Sequence, residues 1–376
     1  MADQQTLNDQ NSSQDHLIEG NPYVGPRTFR RAEQDRHFGR EREARDLLSL
    51  VISQRLVLFY SQSGAGKSSL VNTQLVPQLN ENGFLTLPVG RVGGDLPEGI
   101  REVDNIYLYS LISSLDQGDN DPNRFARISL THFLQQLTTD DGETWYYEAP
   151  DSAVTSDLAV EQRQTTAEAE DSLLSSGFEA EIEPDKEAPF DFSSGDAEHV
   201  SVTTPYVLII DQFEELITNH PERWSERAGF FEQLEAAMQA DPALWVLLVL
   251  REDYVAALDP YAPIMADKLR ARYYMERMGV DAALRAIRQP AALGRRPFAP
   301  GVAEQLVDNL LRIVVSAETG ETKLGQYVEP VQLQVVCYQL WEELEDVERT
   351  RGQDEGMISG TESSPHPSTS SSSQTQ

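Results

Sequence analysis

Short apolar runs alternate with amphipathic stretches through most of the chain. The runs Leu56–Tyr60, Phe84–Val92, Tyr206–Ile210, Trp245–Leu250 and Tyr273–Met278 are brief and rich in aliphatic or β-branched residues. Such runs suit strands buried on both faces. Between them, apolar positions spaced along one helical face predict helices over Glu41–Ser53, Lys67–Leu79, Ile106–Leu115, Pro221–Ala240 and Val280–Arg288. Strands interleaved with helices build an α/β fold, a parallel sheet with helices on its faces. From Val302 onward the pattern reads as helical only, over Val302–Val315 and Val331–Val347, with no strand between. The expectation is an α/β core followed by a small helical lid.

Charge breaks this pattern in one place. Residues 140–200 carry eighteen acidic side chains against Arg163 and Lys186, with isolated apolar residues in no sustained period. A segment with so little apolar surface does not offset the entropy of ordering itself, so it reads as a disordered acidic insertion. Residues 1–20 and 349–376 are polar and of low complexity and read as disordered ends. The sheet-forming core then divides into residues 21–139 and 201–279, with the lid over 280–348.

Over 376 residues, 62 acidic against 30 basic side chains give a net charge of -32, which repels a phosphate backbone and argues against general nucleic-acid binding. The single Cys337 has no internal disulfide partner, which fits a reducing compartment. No apolar run approaches the roughly 20 residues of a membrane helix, and the N-terminus has no basic-then-apolar signal pattern. A cytoplasmic protein without a membrane partner is expected.

The sharpest chemical signal is Ser61-Gln62-Ser63-Gly64-Ala65-Gly66-Lys67-Ser68-Ser69, directly between an apolar strand and a helix. It reads as a Walker A loop. Gly64 and Gly66 let backbone N–H groups curl around a polyphosphate, and the following helix N-terminus adds its positive dipole. Lys67 would reach the β- and γ-phosphates, and the Ser68 hydroxyl would ligate Mg²⁺. Ser61 stands where the motif usually has its first glycine.

A second signal is the run Tyr206–Ile210 leading into Asp211-Gln212-Phe213-Glu214-Glu215. It places Asp211 at the carboxyl edge of a buried strand, where α/β sheets bind ligands, as a magnesium-associated carboxylate. Strand alternation would turn Asp211 and Gln212 to opposite sides. Once the chain becomes helical, Glu214 and Glu215 diverge by about 100°, so one of them would face the γ-phosphate and polarise water while the other forms an acidic first helical turn. Arg251 follows the strand Trp245–Leu250 on the same edge and is a γ-phosphate sensor or an arginine paired with Glu252 or Asp253.

Taken with Asn21–Phe29, Phe38-Gly39-Arg40-Glu41, Gln289-Pro290-Ala291 and Val328–Leu333, these motifs resemble the STAND class of P-loop NTPases, and most closely the bacterial Novel STAND NTPase, NACHT-like group. The resemblance covers about Asn21 to Glu348 apart from the acidic segment. It implies a P-loop NTPase three-layer parallel sheet of the AAA+/STAND kind. It also implies an adenine site lined by the lead-in segment with Gly39 and Arg40, and a lid proline, Pro330, closing over the nucleotide. STAND proteins are usually switches in which ADP holds a closed monomer and ATP opens it for self-assembly, with an effector domain before the core and a sensor after it. This chain departs from that plan at both ends, so a separate sensor or effector protein is an expected partner.

Other readings use the same loop. No NKxD motif marks a GTPase and no LSGGQ-like signature marks a transporter ATPase. Eight basic residues from Lys268 to Arg296 keep a small-molecule kinase in view. The serious alternative to a slow ATPase is a nucleotide-binding scaffold with negligible turnover, because Gln212 occupies the position directly after the strand aspartate where a water-activating glutamate is common.

Overall fold

The computed structural model describes residues 18, 20–100, 102–148, 204–314 and 322–358. Most of the acidic stretch, nearly all of the first twenty residues and the tail after Ile358 lie outside them. Nine strands are described in chain order: β1 (Leu56–Ser61), β2 (Leu85–Thr86), β3 (Leu137–Thr138), β4 (Tyr146–Tyr147), β5 (Tyr206–Ile210), β6 (Leu244–Arg251), β7 (Arg272–Tyr274), β8 (Arg312–Val314) and β9 (Thr322–Leu324). The α-helices are α1 (Glu41–Ser53), α2 (Lys67–Leu70), α3 (Val76–Glu81), α4 (Ile106–Leu115), α5 (Leu130–Gln135), α6 (Glu215–Thr218), α7 (Glu226–Ala240), α8 (Val280–Leu293), α9 (Val302–Leu310) and α10 (Pro330–Ile358).

Five strands form one parallel sheet in the order β2-β5-β6-β1-β7. Alternation along each central strand explains its two buried faces. Leu56 and Leu58, Leu208 and Ile210, and Val246, Leu248 and Leu250 enter one apolar cluster. Val57 and Phe59, Val207 and Ile209, and Leu247 and Val249 enter the other. The first cluster is closed by α4 and α7, the second by α1, α2 and α3. α4 begins where the Asn105 side chain caps the Leu108 amide, at 3.0 Å. Between α2 and α3 the helix widens into a π-turn over Val71–Leu75. This turn directly precedes the start of α3, where Pro77 lacks the N–H that regular α geometry needs.

Four expectations are corrected. The run Phe84–Val92 forms a strand only over Leu85–Thr86: Leu87 N–H still donates to Val207 O at 3.1 Å, but the next bond, from Gly90 N–H to Ile209 O, comes three residues on instead of two, so the ladder loses its regular spacing around Pro88 on this edge strand. The run Val302–Val315 is not one helix, since α9 ends at Leu310 and Arg312–Val314 pairs antiparallel with β9. The consecutive β-branched residues Ile313, Val314 and Val315 favour an extended backbone over a helix. The boundary drawn at Asp140 falls inside folded structure: β4 pairs with β3, and Trp145 and Tyr147 are buried against the first cluster. Helix α10 runs on past Glu348 to Ile358.

The lid has its own apolar centre, built from α8, α9 and α10 and including Met278, Ile287, Val307, Val328, Leu333 and Trp341. Tyr23 joins this cluster from the start of the chain, its hydroxyl donating to Ile287 O at 2.6 Å. A bridge between Met278 and Val328 ties the approach to α8 to the approach to α10.

Tyr147 stacks on Phe133 with centroids 5.4 Å apart and meets Phe125 edge-on at 5.7 Å. We expect Tyr147→Ala to lower unfolding free energy by about 3 kcal/mol in urea titrations, the scale of losing a buried aromatic ring. An unchanged transition midpoint would mean that this hairpin does not belong to the core.

Candidate functional site

At the carboxyl edge of the sheet a cavity of about 240 Å³ opens between core and lid. Its floor is the loop after β1. Gly64 (φ 74°) and Gly66 (φ 96°) take the left-handed backbone that lets the loop turn its amides inward. Ser61 is absent from the left-handed residues, so a side chain is tolerated where the motif usually has glycine. Ser61 and Gln62 do not line the cavity, whereas Ser63, Gly64, Ala65, Gly66, Lys67, Ser68 and Ser69 do.

Lys67 folds back over the loop, its Nζ donating to Ser61 O (3.3 Å), Ser61 Oγ (3.3 Å) and Gln62 O (3.2 Å). Burial pushes its ammonium below the ordinary value, while Glu214 and Asp211 pull the other way. These are weak carbonyl and hydroxyl partners that a phosphate oxygen can replace with charge-assisted bonds.

Ser68 Oγ donates to Asp211 Oδ2 at 2.6 Å, joining the two motifs across the end of the sheet. The Asp211 carboxylate is only 4% exposed, and its other oxygen accepts the Gln212 amide at 2.9 Å. A hydroxyl and a carboxylate so placed fit a hard divalent cation that keeps phosphate and water as its remaining ligands. Among the described residues no group of three or more His, Cys, Asp or Glu side chains would hold a metal by protein ligands alone.

Strand alternation does not carry past Asp211. β5 ends at Ile210, and Gln212 takes a left-handed φ of 54°, so the residue lines the cavity beside Asp211 while its side-chain amide oxygen meets Arg91. The two glutamates do separate. Glu214 lines the cavity and accepts the Arg251 amide at 3.2 Å. Glu215 turns toward Gly93 and Arg91, with Arg91 Nη1 3.6 Å from Glu215 Oε1. Arg251 lines the cavity, but its guanidinium is held by Asp253 at 2.5 Å and lies over the Tyr254 ring.

The lead-in segment and lid close the cavity's other walls, with Gly25–Phe29, His37, Phe38, Arg40, Met278, Ala286, Pro330, Val331, Leu333 and Gln334. Arg40 is 1% exposed. It donates to Ala65 O in the loop (3.1 Å), to Glu276 O ahead of the lid (3.0 Å) and to Glu43 (2.6 Å), so it braces the phosphate loop against the segment that leads into the lid. Gly39 does not line the cavity. At φ 91° it packs so closely that a Cβ would lie 2.4 Å from Ala282 O. Pro330 opens α10 above the loop.

Sequence reasoning did not place His37, Met278, Ala286 or Gln334 at the site. Met278 ends a run that reads as a strand, Ala286 and Gln334 fall in ordinary helical patterns, and a lone histidine carries no motif. His37 accepts or donates at Thr73 Oγ1 (2.7 Å), and its ring lies 4.8 Å from Phe29.

The sequence profile of the Novel STAND NTPase 1 family matches residues 22–351. The chain belongs to that family, and with it to the STAND-type P-loop NTPases, which bind nucleotides. Among solved structures it is similar to a Walker-type ATPase of Pyrococcus abyssi at 15% identity and a TM-score of 0.47, over 90% of this chain and 77% of that one. No curated protein matches the chain. None of the described helices is long and apolar enough to cross a membrane.

Burial holds the His37 imidazole at about 4, below its ordinary 6.5. Between those values the unfolded chain binds a proton that the folded chain excludes, so stability is full above about 6.5 and is lost as pH falls toward 4. Urea unfolding at pH 7 and pH 4.5 should show wild type losing about 2 kcal/mol more than His37→Gln on acidification. Equal losses in the two proteins would remove His37 as the cause.

Proposed function

We propose that the protein binds ATP and ADP with Mg²⁺ and hydrolyses ATP slowly, as a nucleotide-driven switch in signalling or defence. The observation that carries this reading is the convergence of Lys67, the Ser68–Asp211 pair, Glu214 and the lid residue Pro330 on one cavity. In it, Lys67 gives up its bonds to Ser61 and Gln62 and donates to phosphate oxygens. Ser68 and Asp211 hold the magnesium, which when bound neutralises phosphate charge. Glu214 orients a water and accepts its proton, since it faces the cavity and Glu215 does not. Pro330 and Val331 on α10 cover the nucleotide from the lid side, so that exchange of ADP for ATP changes how the lid seats. Self-assembly on ATP binding, and a separate sensor or effector protein, belong to the same reading.

Lys67→Ala should abolish ATP and ADP binding in equilibrium dialysis while circular dichroism stays that of wild type. Retained wild-type affinity would remove the phosphate-loop assignment. Glu214→Gln should keep ATP binding and lower phosphate release about a hundredfold, with Glu215→Gln within a few-fold of wild type. Undetectable turnover in the wild type, with tight nucleotide binding, would support the scaffold with negligible hydrolysis instead.

A further inference from the structure

Asp211 has a second cationic neighbour that takes no part in the cavity wall. Gly90 is held onto β5 by two backbone bonds, its N–H donating to Ile209 O (2.8 Å) and its carbonyl accepting from Asp211 N (3.0 Å). A Cβ on Gly90 would lie 2.5 Å from Leu111, so the chain passes here at close approach. Arg91 therefore emerges beside Asp211, and its own amide is fixed by Ser114 Oγ at 2.9 Å. The backbone is pinned, and the side chain is 42% exposed.

That side chain stands between two carboxylates. Arg91 Nη2 lies 3.8 Å from Asp211 Oδ2, the oxygen that also receives the Ser68 hydroxyl. Its Nη1 lies 3.6 Å from Glu215 Oε1 and contacts the amide oxygen of Gln212, which the left-handed turn at Gln212 brings round to meet it. A divalent ion at Ser68 and Asp211 would need the oxygen that Arg91 now neutralises, and the two cations would repel each other at a few ångströms. Glu215 offers the guanidinium another partner on the far side from the cavity.

We propose that Arg91 is a positioning residue that competes with the metal for Asp211, neutralising the carboxylate in the metal-free protein and moving onto Glu215 when the metal binds. Arg91 thereby weakens metal binding and gives Glu215, which does not face the cavity, a role as the receiving carboxylate. The inference rests on the reading of Ser68 and Asp211 as the magnesium site.

The test titrates Mn²⁺, followed by electron paramagnetic resonance, into the full chain carrying ADP at substoichiometric concentration. Arg91→Gln should bind Mn²⁺ about tenfold more tightly, the scale of removing one positive charge beside a divalent ion in a water-exposed setting. Arg91→Lys, which keeps the charge, should remain within about threefold of wild type. Glu215→Gln should weaken Mn²⁺ binding, and by less when combined with Arg91→Gln, because the guanidinium then needs no second partner. Unchanged or weaker Mn²⁺ binding in Arg91→Gln overturns the proposal, including the case in which its melting temperature falls, as for a merely structural ion pair. Asp211→Asn separates the two readings. If it loses Mn²⁺ while Arg91→Gln behaves as wild type, the competition fails and the magnesium site stands; if it keeps wild-type Mn²⁺ affinity, the magnesium site fails and the proposal with it.

Discussion

A carboxylate buried at the end of a parallel strand is costly unless donors or a cation meet it. Asp211 is met on three sides, by the Ser68 hydroxyl, the Gln212 amide and the Arg91 guanidinium. The arrangement depends on the order of strands. β5 and β1 flank β6, so the carboxyl end of one and the loop after the other reach the same edge. The phosphate loop, the glutamates and Arg251 take their places around this meeting of Ser68 and Asp211. In a chain of net charge -32, a polyphosphate can approach only where fixed donors outweigh carboxylates, and Lys67 with the turned loop amides supplies them.

The central strands were legible because they are buried on both faces. Tyr206–Ile210 and Glu41–Ser53 match their expected limits, and β6 differs only by one residue at each end. The lid was less so. Its antiparallel pair begins in a run, Arg312–Val314, whose spacing suits a helix while its β-branching suits a strand. Trp145 and Tyr147 were submerged in an acidic composition, although three consecutive aromatics, Trp145, Tyr146 and Tyr147, are the kind of local apolar content that a packed hairpin needs.

At the site, the motif residues were readable one by one, but their orientation was not. That Glu214 faces inward and Glu215 outward follows from where β5 stops and from the left-handed turn at Gln212, a conformation that glutamine seldom takes and that no pattern announces. Likewise, the residues before the first helix carried a resemblance but no physical reading. Only the folded chain reveals that Arg40 serves the phosphate loop and the segment leading into the lid together.

The lead-in segment is stitched at both ends to different bodies. Asn21 and Val24 bond to Tyr338 O and Gln334 on α10, while Phe29 bonds to Ser69 and Asn72 at the start of the phosphate-loop helix. Five residues of fully extended chain reach about 17 Å. The segment is thus a leash of fixed length, and core and lid can part along this side only until it is taut. Any wider separation must first unfasten Val24 from Gln334 or Phe29 from Ser69, so any travel of the lid would be bounded by a covalent length before it is bounded by a ligand.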